Sequence, residues 1–158
     1  MNFETGDRNG SVKQILQNLV KNSGALTAML VTKEGVSICQ AGDTSYLNTT
    51  AMAALVAGMF SATREVARLV GEEQFSILLQ QGENRHIHIS LIQESKMMVI
   101  IFEDYQRIGL VRHQARKAGN GLDEALGRDD REVRKEDIAT PQFKEYALNL
   151  IDQIFETK

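Results

Sequence analysis

The sequence predicts an α+β domain whose elements run helix, two strands, helix, three strands, helix. Two observations predict it. The apolar spacing switches along the chain between the three-and-four period of a helix and the short β-branched runs of strands. The strand candidates are joined by turns too short for a crossover, so neighbours must pair antiparallel. The composition agrees, since 158 residues, 42% hydrophobic and 25% charged, with a net charge of −3, describe one soluble globular core with a short appendage.

Residues 1–10, MNFETGDRNG, are polar and lack a hydrophobic period, which predicts a flexible start. Ser11 is the expected N-cap of the first helix. Val12, Ile15, Leu16, Leu19 and Val20 share its apolar face, and Gly24 supplies the C-terminal stop. Ala25–Thr32 and Val36–Gln40 are apolar and β-branched, and the Lys33-Glu34-Gly35 turn between them makes a hairpin.

After the polar turn Gly42-Asp43-Thr44, a long helix is expected from Asn48 or Thr49, its N-cap, to Gly71, its stop. Met52, Leu55, Val56, Met59, Val66 and Leu69 are the face expected to enter the core. Ala54, Ala57, Gly58 and Ser61 form a second stripe of small side chains, where another backbone can approach closely. That surface is expected to touch something outside its own domain.

Phe75–Gln80, Arg85–Ile92 and Lys96–Phe102 follow as a meander, joined through Gly82-Glu83-Asn84 and Glu94-Ser95. Ile108–Leu126 reads as the closing helix, interrupted at Gly119-Asn120-Gly121 at a cost of about 1 kcal/mol per glycine relative to alanine. The domain therefore spans residues 11–127. Residues 128–139, which include the mixed-charge run RDDREVRKE, are expected to be a solvated linker. Thr140-Pro141 then opens an amphipathic helix over residues 140–158. Its Phe143, Tyr146, Leu150, Ile151, Ile154 and Phe155 form one apolar stripe. Two destinations are open to that stripe, the domain's own sheet or a partner protein.

Several function classes are set aside. No Lys/Arg cluster marks a predicted face, so neither nucleic acid nor a charged membrane surface is an expected partner. No apolar run is long enough for membrane insertion, and the polar N-terminus lacks the apolar stretch of a signal peptide, which predicts a cytoplasmic protein. There is no phosphate-binding G-x-x-x-x-G-K-[ST] loop, and no cofactor is expected. His86 and His88 share one face of a strand, but a zinc site wants three or four ligands and only His113 and Cys39 remain to offer nitrogen or sulfur. Outward polar positions explain the pair, and no metal is expected. Cys39, in an apolar strand, reads as a small hydrophobe. Arg64 and Arg68 flank Glu65 at helical spacing and read as solvated or ion-paired, not as an arginine finger. No catalytic residue is identified.

The element order, together with LVAG in the long helix, ARLVGEEQF after it, QGEN before the fourth strand and VIIFEDYQRIGLVR into the closing helix, resembles the roadblock / dynein light chain family. Within it, the resemblance is strongest to the MglB-type subfamily of bacterial polarity regulators. It implies a three-layer sandwich, a five-stranded antiparallel sheet between helices. It also implies a homodimer formed through the long helix and the edge strand, here with Phe75, Ile77 and Leu79 on that strand. A partner is implied too, a Ras-like small GTPase of the MglA type in its GTP state, which the dimer activates from a platform on its paired long helices. By position that platform comprises Ala53, Ala54, Ala57, Gly58, Phe60, Ser61, Arg64 and Arg68. The segment carrying Phe143–Phe155 occupies the place of a tail implicated in touching the GTPase. The alternative within the family is a scaffold or sensor that binds another GTPase or protein without activating it.

Overall fold

A computed structural model describes the backbone of residues 3–139 and the side chains of residues 10–127. Its elements are α1 (Phe3–Ser23), β1 (Thr27–Thr32), β2 (Ser37–Gly42), α2 (Thr49–Leu69), β3 (Ile77–Gln81), β4 (His86–Ile92), β5 (Lys96–Phe102) and α3 (Ile108–Ala139), with a 3₁₀ turn at Tyr105–Arg107 before the last. The contacts divide the chain into residues 1–125 and 126–158. The first unit carries the sheet.

The five strands form one sheet in the order β2-β1-β5-β4-β3, and every neighbouring pair is antiparallel. β1 and β5 are central and are buried on both faces, as strands covered by helices above and below must be. One face gathers Met29, Val31, Ile89, Met97, Val99 and Ile101 against Ala53 and Val56 of α2. The alternate residues Ala28, Leu30, Met98, Ile100 and Phe102 are buried on the other face. There α1 contacts β1 and β2, and its Lys13 Nζ donates to the Gln40 carbonyl at 2.7 Å. This is the expected three-layer α+β sandwich.

Besides shifts of one or two residues at the ends of β1, β2 and β4, three differences from the sequence expectation bear on the helices and the sheet edge. α1 begins at Phe3, so residues 3–10 are helical and Ser11 lies inside the helix instead of capping it. α3 passes through Gly119-Asn120-Gly121 without interruption and on to Ala139, so the stretch expected as linker is helical backbone. The reason is common to both: apolar spacing reports only the buried part of a helix, whereas propagation adds one backbone hydrogen bond per residue with no new nucleation cost. Two glycines of α3 lie beside apolar side chains, with room for a methyl group. A Cβ on Gly119 would lie 3.4 Å from Ile92 Cδ1, and one on Gly121 would lie 3.4 Å from Ile15 Cδ1. The third difference is smaller. β3 starts at Ile77, leaving Phe75 just before the strand.

Candidate functional site

α2 is held at both ends and along one side. Asn48 Oδ1 accepts from the Ala51 N–H at 3.0 Å, satisfying one of the four free donors of the first turn. At the other end the Glu72 N–H reaches the Ala67 carbonyl at 2.9 Å, with Gly71 at φ +84°, the left-handed residue that closes a helix. Along its side lies the β1–β2 turn. Gly35, at φ +92°, comes so near that a Cβ there would sit 3.1 Å from Ala54 Cα and 3.6 Å from Ala57 Cβ. Part of the small-residue stripe is therefore explained within the domain, because it admits the protein's own hairpin.

The core face of α2 differs from the expected one. Ala53, Val56 and Ala67 are buried, and Met52, Ala57, Met59 and Phe60 pack half-buried against the same cluster. Leu55, Val66 and Leu69, expected inside, are 70%, 51% and 86% exposed. The physical cause lies in the pattern itself. Met52-Val56-Met59 and Leu55-Gly58-Ala62-Val66-Leu69 both repeat at helical spacing, and local periodicity does not say which of two apolar stripes the sheet will cover.

Ala53 is 0% exposed and belongs to the core, so it is removed from the platform. Ala57, Phe60, Ser61 and Arg64 line a cavity of about 120 Å³ whose other walls include Lys33, Ser95 and Met97. Arg64 Nη2 donates to Gln74 Oε1 at 3.3 Å. Arg68 pairs with Glu65 at 3.1 Å on the surface, an exposed contact contributing little stability. Ala54, Gly58 and Ser61 are exposed, and around Gly58 no heavy atom lies within 4 Å of a Cβ position. With Leu55, Ala62, Val66 and Leu69 they make an outer stripe that is bulky at its ends and low in the middle.

β3 lies at the edge of the sheet, hydrogen-bonded to β4 alone. Its outer row of N–H and C=O groups is thus open to a pairing strand among the described residues. Ile77 and Leu79 stand opposite Ser90 and His88, on the sheet face away from α2, and Phe75 is half-buried ahead of the strand. Phe143, Tyr146, Leu150, Ile151, Ile154 and Phe155 lie outside the described residues.

The two histidines are not outward-facing. His86 and His88 are both buried, on the β4 face turned away from α2, where His88 looks onto α3. His86 is satisfied: its Nδ1 accepts from the Gly82 N–H at 3.2 Å, and its ring lies against Phe102 and Tyr105. His88 has its proton affinity lowered, first by burial and then by the charge of Arg112. Cys39 is half-buried. Among the described residues, no three of His, Cys, Asp and Glu converge as metal ligands, and no helix is long and apolar enough to cross a membrane.

Among the described residues the arrangement is a partly apolar helix together with an open strand edge. Comparison with solved structures finds the same fold in Myxococcus xanthus MglB, at a TM-score of 0.73 and 28% identity, covering 75% of this chain and 90% of that one. It is also found in the gliding protein MglB of Thermus thermophilus, at 0.72 and 23% identity, covering 76% and 91%. A third structure, of MglB in a tetrameric arrangement, matches at 0.69 and 24% identity, covering 75% and 93%. No curated protein matches. The Roadblock/LC7 domain family matches residues 11–102, more than half of the chain, and the protein belongs to that family.

Proposed function

We propose that the protein is a homodimeric regulator of a Ras-like small GTPase of the MglA type, and that it acts in bacterial polarity or motility within the cytoplasm. One observation carries the reading. Leu55, Val66 and Leu69 stand in solvent along α2, separated by Gly58 and Ala62, beside an unpaired strand edge. Pairing β3 with its symmetry mate would extend the sheet and bring the two α2 helices together as one platform. The likeness to MglB structures supports it.

The proposed mechanism is ordering of the GTPase, not donation of a catalytic group. Arg64 and Arg68 are engaged by Gln74 and Glu65, which favours a role in holding the surface over one inside a partner's active site. Binding only the hydrolysis-ready switch conformation shifts its population by the differential affinity of the two states. The GTPase then supplies its own chemistry. The segment Phe143–Phe155 is proposed as a second contact with the GTPase.

Phosphate release from a purified MglA-type GTPase, followed with and without excess of this protein, tests the reading. Faster release, dependent on the GTP state, is the expected result. Binding without acceleration would replace activation by scaffolding, and absence of binding would reject the partner class.

A further inference from the structure

On the face of the sheet away from α2, a cavity of about 380 Å³ opens between β4 and α3. That volume falls at the lower end of the range for small-molecule sites, roughly 300 to 1,000 Å³. His88 and Ser90 form part of its floor. His88 is 1% exposed, yet both of its ring nitrogens, and the Ser90 hydroxyl beside it, lack a hydrogen-bond partner among the described residues. A buried polar group left unsatisfied carries its full desolvation cost. Three such atoms side by side point to a ligand that completes them.

The walls define its charge. Arg112 and Arg116, four residues apart on α3, line the cavity together with Asp123 at one end. Asp123 is already engaged, since its Oδ1 accepts from Gln93 Nε2 at 3.0 Å. The guanidinium groups exclude a metal cation and attract an anion. Burial and Arg112 both hold the His88 imidazole neutral, so one ring N–H is available to donate, as is the Ser90 hydroxyl. Ile77, Leu91 and Ala115 supply apolar wall beside these donors.

We propose that this cavity binds a small organic oxyanion, a carboxylate or phosphate monoester whose oxygens meet Arg112 and Arg116 while His88 and Ser90 donate to them. The site lies across the sheet from α2, shares Ile77 with the β3 edge, and stands whether or not a GTPase is the partner.

The full chain is titrated with inorganic phosphate and, separately, with succinate, at ionic strength held constant with sodium chloride. The His88 ring nitrogens are followed by long-range proton–nitrogen NMR. Saturable movement of these resonances with either anion, and a rise in the pH at which His88 titrates, is expected. Response to phosphate alone assigns a phosphoryl ligand, and response to succinate alone assigns a carboxylate. Arg112→Gln, at an exposed position whose loss leaves the core intact, is expected to weaken the response at least tenfold. No saturable movement with either anion would overturn the proposal, as would unchanged affinity in Arg112→Gln.

Discussion

Replacing Gly58 by arginine separates folding from association. Gly58 lies in the middle of α2, is exposed, and has no heavy atom within 4 Å of the position a Cβ would take. Within the subunit the change meets nothing, while arginine is a better helix former than glycine by roughly 0.8 kcal/mol. The isolated subunit should therefore become slightly more stable. Association should move the other way. Leu55, Val66 and Leu69 on either side bury their apolar area only if a second helix descends to the low middle of the stripe, and each fully buried side chain of this kind contributes about 1.5 to 3 kcal/mol. A long charged side chain at Gly58 holds that helix off. Losing the equivalent of one or two such burials raises the dimer dissociation constant about a hundredfold, or roughly 2.7 kcal/mol. Sedimentation equilibrium reads the association, and urea unfolding at concentrations below dimerisation reads the fold. Unchanged dimerisation together with unchanged GTPase binding would show that the outer stripe of α2 is not the interface.

Gly35→Ala should lower stability by about 1 to 3 kcal/mol, since it forces a side chain into the left-handed region and sets its Cβ 3.1 Å from Ala54 Cα; a urea midpoint at the wild-type value would contradict the close approach of hairpin and helix. Asn48→Ala should cost about 1 kcal/mol through loss of the α2 cap, read in the same experiment. Gly121→Ala should gain up to about 1 kcal/mol, because the new methyl meets Ile15 Cδ1 at an ordinary van der Waals distance of 3.4 Å, and a loss would mean that the contact is tighter than this. His88 makes stability depend on pH. Its folded-state pKa is lowered, first by burial and then by Arg112, so the unfolded chain takes up the proton first. The His88 contribution is thus fully present above the unfolded value of about 6.5 and is lost as pH falls through the folded value. Unfolding midpoints measured on both sides of that window should show the decline, and His88→Gln should flatten it.

Much of the architecture is legible in the sequence itself. Lys96–Phe102 is a strand with the bounds its apolar run implied, and of the two cap candidates, Asn48 and Thr49, it is Asn48 that caps α2. The short turns did force an antiparallel meander. These features are encoded locally, in propensity, capping chemistry and the length of a connection, each acting over a few neighbouring residues. The edge position of β3 came from the family resemblance, and the strand order supports it.

The sites were less legible. Two interleaved apolar stripes on α2 looked alike until the sheet covered Met52-Val56-Met59 and left Leu55, Val66 and Leu69 in solvent. Ala53 is placed on the platform by family position alone, and its burial against the sheet assigns it to the core. His88 and Ser90 stand at alternate positions of β4, a spacing that places them on one face but does not reveal that α3 roofs it. Sequence alone determined the order and type of the domain's elements, though not how far α1 and α3 extend, because those preferences are settled within a turn or a hairpin. Only tertiary structure decided which face of each segment is core, which is surface and which encloses a cavity, because that depends on elements far apart in the chain meeting across the sheet.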